Sequence, residues 1–248
     1  MSDDPLAGAA ANCAEAYRAW AAGVGRPWRA WDDLVLADLG LPVSLPPNHA
    51  SVLTPLTDEA VPDVVERMRA FFDGSPGGPF QVWSLWPTPG LGGFGFEPWS
   101  VPMMTRAPGG EPRPAPPELE IVEVSDDASA AEASSLLSVF GTPAAATEGL
   151  ITPALQSDTF RVWLGRAEGN PASIAAASVS HGFVGVYAVA TAQEFRGRGY
   201  GEALSWVATM FRPDLPANLQ ASSMGRPVYE RMGYETVATF WCWTAERG

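Results

Sequence analysis

Val186–Met210, VYAVATAQEFRGRGYGEALSWVATM, is the stretch on which the reading of this chain turns. Phe183–Val189 leads into it and is rich in β-branched and aromatic residues, the composition of a strand. Gly197, Gly199 and Gly201 then alternate with Arg198 and Tyr200, which leaves backbone amides unobstructed by side chains. From Glu202 onward, Ala203, Leu204, Val207 and Met210 recur at helical spacing. A strand, a glycine-rich turn and a helix in that order make an anion site, because the first turn of a helix has unpaired N–H groups and the positive end of the helix dipole. The spacing G-x-G-x-G departs from the dinucleotide fingerprint G-x-G-x-x-G, and the Gly-Lys-Ser/Thr of a P-loop is absent.

Arg196-x-x-Gly199-x-Gly201 resembles the Q/R-x-x-G-x-G/A pyrophosphate loop of the GNAT superfamily of acyl-CoA-dependent N-acyltransferases. A second stretch, Val228-Tyr-Glu-Arg-Met-Gly-Tyr234, is similar to that family's L-Y-x-x-x-G-F ending, and the two occur in the family's order. The resemblance covers the chain from Leu119 to its end. It implies an α+β fold with a mixed, mostly antiparallel central sheet flanked by helices, and acetyl-CoA as co-substrate without a metal. It further implies that Val189 and Thr191 pair with pantetheine where their strand splays from its neighbour. The amides of Arg196, Gly197, Arg198, Gly199, Tyr200 and Gly201 would hold the pyrophosphate, through charge-assisted bonds worth roughly 1.5–3 kcal/mol each. Tyr229 would be the acid that protonates the departing thiolate. Ser222 stands where relatives often carry an Asn near the thioester, and Gly185 and Tyr187 stand where relatives often place a catalytic Glu.

Read without the resemblance, Arg196 and Arg198 are solvated charges beside a turn and Tyr229 is a core residue on an apolar helix face. Glu148, Asp158 and His181 are candidate bases for taking the proton of an ammonium acceptor, and each also reads as a cap, turn or exposed residue.

The 248 residues exceed the usual size of one domain, and 46% hydrophobic residues suffice for packed cores. Arg106–Pro117, RAPGGEPRPAPP, has the composition of a stiff linker. Two tandem GNAT-like domains are therefore expected, a degenerate one over 1–107 and an acetyltransferase over 118–248, joined by a linker at 108–117. Gly95-Phe-Glu97 and Gly233-Tyr-Glu235 lie 138 residues apart, each before a terminal strand, which suggests duplication. Gly90–Gly95 is not followed by a helix pattern, so the first half lacks an evident cofactor loop. Its Trp83, Trp86 and Trp99 are placed either to wall an acceptor cleft or to fill a core.

Helices are expected over Ala7–Ala22, Thr57–Phe72, Asp126–Phe140, Thr147–Leu155 and Arg226–Met232, and strands over Asp33–Leu39, Ala50–Leu56, Pro79–Trp86, Trp99–Met104, Leu119–Val124, Phe160–Leu164, Ser173–Ser180, Leu219–Ser222 and Thr236–Thr244. A net charge of −13 argues against nucleic acid and anionic membrane as partners. Two histidines, His49 and His181, and two cysteines without metal-site spacing leave little for zinc or triad chemistry. No run of about 18 apolar residues occurs, and a cytoplasmic location is expected. The resulting expectation is acetyl transfer from acetyl-CoA to an amine of a small molecule or peptide. The alternatives are a non-catalytic acyl-CoA sensor, a thiol or hydroxyl acceptor, and a longer acyl chain.

Overall fold

The computed structural model describes residues 4–42 and 48–248. Its elements in chain order are α1 (Pro5–Gly23), β1 (Trp28–Ala30), β2 (Leu34–Asp38), β3 (Asn48–Val52), α2 (Val61–Phe72), β4 (Phe80–Ser84), a 3-10 turn (Leu91–Phe94) and β5 (Glu97–Arg106). After a non-repetitive Pro-rich stretch come β6 (Glu120–Glu123), α3 (Asp127–Leu136), α4 (Ala144–Thr147), β7 (Phe160–Ala167), β8 (Asn170–Ser180), β9 (Phe183–Thr191), α5 (Tyr200–Thr209), β10 (Ala217–Gln220), α6 (Arg226–Arg231) and β11 (Glu235–Ala245).

Among the described residues, all strands join one sheet in the order β1-β2-β3-β4-β11-β5-β10-β9-β8-β7-β6. Only β3–β4 and β9–β10 are parallel; the other pairs are antiparallel. The fold is the expected α+β arrangement. Its centre is an exchange: β11, the last strand of the second half, lies against β4 of the first, while β5, the last strand of the first, lies against β10 of the second. β5 and β11 pair with each other between them, Glu97 facing Thr244 at one end and Glu235 facing Thr105 at the other. Each half thus completes the other's sheet. Beyond β11, Arg247 holds both oxygens of buried Asp38 on β2 at 2.8 Å, a bidentate pair that fastens the C-terminal strand to the first half.

Local chemistry explains several element ends. Asp4 caps α1 by accepting from the Leu6 amide, with Pro5 in the first turn. Asp126 and Ser129 form a reciprocal capping box on α3. On α2, Val61, Val64, Val65, Met68 and Phe72 are the buried positions, as the periodicity predicts. The regular helix starts at Val61 rather than Thr57, whose hydroxyl accepts from the Ala60 amide in a preceding turn. The segment expected as one helix over Thr147–Leu155 is instead two short turns, Ala144–Thr147 and Pro153–Leu155, around Gly149 at φ +71°. β3 ends at Val52, before Pro55, and the three-residue β1 is too short to carry a periodic signal.

Alternate residues of each strand separate the two faces. Ala37, Trp83, Val162, Leu164, Ile174 and Ala176 pack with α1 and α3. Leu36, Val52 and Val82 pack under α2, and Trp163, Ala175 and Ala177 under α5. α1 is buried on most of its circumference, at Ala9, Ala10, Asn12, Cys13, Ala14, Ala16, Tyr17, Trp20 and Ala21. Its small residues let it settle between β2 and β3 on one arm of the sheet and β8 and β9 on the other. No helix among the described residues is long and apolar enough to cross a membrane.

Candidate acyl-CoA site

β9 changes character half-way along. It pairs with β10 only at Val184 to Ala217 and Gly185 to Asn218, and then the two parallel strands part. On its other edge, Ile174 of β8 faces Ala190 and Ala176 faces Tyr187, so Ala188 and Val189 stand opposite the single residue Ala175. This is a β-bulge, which bends the strand that carries it. Ala188 sits in the left-handed region at φ +52°, a conformation that costs a residue with a Cβ about 1–2 kcal/mol.

At the C-terminal end of β9 the chain enters the glycine loop. Gly197 and Gly199 have φ of +77° and +83°, values that L side chains rarely adopt. At Gly201 a Cβ would lie 3.0 Å from Thr191 Oγ1, close enough that the threonine would have to give by a few tenths of an ångström. Among the described residues, nothing accepts a hydrogen bond from the amides of Gly197, Arg198 or Gly199, and α5 adds the unpaired amides of its first turn. The loop's side chains are engaged elsewhere. Arg198 pairs with Glu168 at 2.7 Å and lies over the Phe195 ring. Arg196 donates to Thr191 O at 3.3 Å. Tyr200 is buried, with its hydroxyl donating to Glu118 Oε1 at 3.1 Å. What the loop presents to an anion is backbone.

Between the parted strands lies a cavity of about 790 Å³. Val186, Tyr187, Ala188 and Val189 of β9 form one side, and Gln220, Ala221, Ser222, Arg226 and Tyr229 form the facing side. Ser222 Oγ accepts from the Gly225 amide at 3.1 Å and so braces the turn into α6. Tyr229 is buried at the end of this wall, and burial pushes its phenol up to about 12, so it stays protonated at neutral pH. Thr191, by contrast, lies at the far end of β9, its Oγ1 3.0 Å from Ser173 Oγ, and the loop follows it. Of the sequence candidates, Val189, Ser222 and Tyr229 line the cavity, and the 196–201 loop continues from the same strand.

The three base candidates lie elsewhere. Glu148 follows α4 and is exposed, Asp158 has a side chain 97% accessible, and His181 occupies the β8–β9 turn at φ +50°. None lines the cavity. The missing strand glutamate also has a structural explanation. A Cβ on Gly185 would fall 2.1 Å from Asn12 Oδ1 and 2.3 Å from the Tyr187 ring. Asn12 of α1 fills that place and accepts from Tyr187 Oη (2.8 Å) and Asn218 Nδ2 (3.0 Å), while its own Nδ2 donates to Ser178 O (3.1 Å) and Phe183 O (3.3 Å). Sequence reasoning missed Asn12. The available signal was a lone amide on the otherwise small and apolar buried face of an Ala-rich helix.

Comparison with solved structures places this architecture. A GCN5-related N-acetyltransferase from Kribbella flavida superposes with a TM-score of 0.65 at 19% identity, over 95% of this chain and 96% of that one. The chain has a GNAT fold. A GCN5-related N-acetyltransferase from Sphaerobacter thermophilus gives 0.56 at 16% identity, covering 86% and 76%. A tandem GNAT protein from the clavulanic acid biosynthesis pathway gives 0.50 at 15% identity, covering 87% and 78%. No protein-family model matches the sequence. No curated protein matches it either. The GNAT likeness extends over both halves.

Proposed function

We propose that the protein transfers an acetyl group from acetyl-CoA to an amine of a small-molecule or peptide acceptor by direct attack on the thioester. The observation that carries this reading is the coincidence of three features on one strand: the bulge at Ala188–Val189, the lost pairing with β10, and the acceptor-free amides of the loop that follows. The free edge of β9 offers backbone groups to the pantetheine amides. The amides from Gly197 onward and the first turn of α5 hold the diphosphate, drawn by the helix dipole. The bound thioester supplies an activated acyl carbon. Tyr229, protonated and in the cavity wall, supplies a proton to the sulfur as it leaves.

Acetyl-CoA is expected to raise the melting temperature while NADH and ATP do not, because only a phosphopantetheine ligand pairs with both strand and loop. Release of free CoA thiol in the presence of an amine panel tests catalysis. Equal stabilisation by ATP would place the ligand elsewhere. A non-catalytic acyl-CoA sensor is the second reading, favoured by one observation: Asn12 occupies the place of a strand carboxylate. Binding without turnover for any acceptor would select it.

A further inference from the structure

The part of the cavity remote from the loop is built largely by the first half, α1 included. Tyr17, Trp20, Trp83 and Trp99 face it, with Leu137 and Phe140 opposite. The three indoles have their N–H groups engaged by protein acceptors: Trp20 with Leu150 O (2.6 Å), Trp83 with Gln81 Oε1 (3.0 Å) and Trp99 with Thr244 Oγ1 (3.1 Å). They present ring faces and edges to an occupant and no free donor. Thr142 Oγ1, also in the wall, is buried without a partner among the described residues, so it offers one hydrogen bond to a neutral substituent.

The charge inventory is as informative. Among the described residues that line the cavity there is no Asp, Glu, Lys or His. Arg226 is the one fixed charge, on the cofactor side, with Nε 2.8 Å from Glu230 Oε1. Tyr187 is bound to Asn12 and kept protonated by burial. His49 lies behind the Tyr17 ring, 4.4 Å between centroids, and burial pushes it down to about 3, so it is neutral. An alkylammonium brought here loses its hydration, at a cost of several kcal/mol, with no carboxylate to meet it. Aromatic faces return about 0.5–2 kcal/mol of that. It also finds no base for the proton it must shed before its nitrogen can attack. An amine that is already uncharged at neutral pH meets neither obstacle.

We propose that the acceptor is a weakly basic amine on an aromatic body, of the arylamine or arylhydrazine class, seated among Tyr17, Trp20, Trp83 and Trp99. This inference rests on the acetyl-transfer reading above. In the reaction, the nitrogen lone pair forms a bond to the thioester carbonyl carbon, and the carbon–sulfur bond breaks with its electron pair going to sulfur. The proton lost by nitrogen ends on that sulfur, giving a free thiol and an N-aryl amide from an arylamine or an aryl hydrazide from an arylhydrazine. The balance needs no oxidant and no external base, because Tyr229 hands one proton to the sulfur and regains one from nitrogen.

The test uses two isomers with the same atoms and different basicity, 4-ethylaniline and 2-phenylethylamine, with acetyl-CoA and the full-length protein. The expected result is a kcat/KM at pH 7 at least about tenfold higher for 4-ethylaniline, level from pH 6 to 9, while that for 2-phenylethylamine climbs with pH. Ser100→Asp, at an exposed lining position, adds a carboxylate without disturbing the core and is expected to shift the ratio toward 2-phenylethylamine. Equal or reversed preference in the unaltered protein overturns the inference, as does a ratio unmoved by Ser100→Asp. A higher kcat/KM for hexanoyl-CoA than for acetyl-CoA also overturns it, by giving the apolar space to the acyl chain. If acetyl-CoA raises Tm but neither amine is acetylated, the acceptor class is wrong and the cofactor reading stands. If acetyl-CoA leaves Tm unchanged, the acetyl-transfer reading fails as well.

Discussion

In the first half the parallel pair β3–β4 stays closed along His49–Val52, whereas in the second half β9 has left β10 by Val186. The offset of 138 residues that relates Gly95 to Gly233 also sets His49–Val52 against Tyr187–Ala190, the part of β9 that runs free. The same offset sets Asp58–Asp63 against Arg196–Gly201, and α2 against α5. Both glycines of the repeat have positive φ, +80° and +86°, and each opens one of the two exchanged strands. Where one copy has glycines and exposed amides, the other has Asp58, Glu59 and Asp63, so a diphosphate would meet like charge. The two halves therefore differ at two points, a strand gap and a glycine turn with free amides. At this offset the counterpart of the 196–201 loop is Asp58–Asp63, not the Gly90–Gly95 turn to which the glycine count draws attention.

The largest expected effect concerns the exchange. Residues 1–107 and 118–248 produced separately should give no cooperative unfolding transition, because each lacks the strand that closes its sheet; mixed from denaturant, they should recover one. Circular dichroism of each fragment and of the mixture decides this, and a stable isolated fragment would mean that its own terminal strand can fold back in place of the exchanged one.

Next, Gly201→Glu puts into the second half the kind of charge the first half carries at Asp63. CoA affinity should fall by at least ~100-fold, about 2.7 kcal/mol, by calorimetric titration. Asp58→Ala on the closed copy should leave it unchanged. If both variants bind CoA equally, the ligand does not sit on the 196–201 loop.

Tyr229→Phe comes third. As the acid, its loss should lower kcat by roughly 10- to 1000-fold with CoA affinity little changed. As packing alone, loss of the hydroxyl should alter stability by about 1 kcal/mol and leave kcat intact.

The smallest effect lies in the closed pair. His49 is buried and neutral in the native state, with a value of about 3 against 6.5 for a free histidine. The unfolded chain therefore takes up a proton between those values that the native state does not. Stability from this residue is complete above pH 6.5 and falls by up to ~1.4 kcal/mol per unit as pH drops toward 3. Urea midpoints at pH 7, 6, 5 and 4 should show a flatter acid limb for His49→Gln, and identical limbs would refute it.

The glycine loop, the helix after it and the Tyr229 segment were legible because their signals are local: left-handed glycines, apolar spacing, a turn between strands. The aromatic wall was half legible. Trp83 and Trp99 do line the cavity, whereas Trp86 lies outside it. Trp20 and Tyr17 reach it from a helix more than sixty residues earlier in the chain, and nothing in their own surroundings announces that.

Taken alone, the sequence determined the α+β order, the glycine turn between strand and helix and the likeness of the Gly95 and Gly233 segments, all properties of short stretches whose backbone preferences and periodicity act over a few residues. Tertiary structure decided which strand completes which sheet, since β5 and β11 could by pattern close either half and only packing selects the exchange. It also decided that Asn12 fills the space at Gly185, and that the cavity is walled by uncharged aromatics from both halves. Those outcomes come from contacts between residues far apart in the chain, and no local preference encodes them.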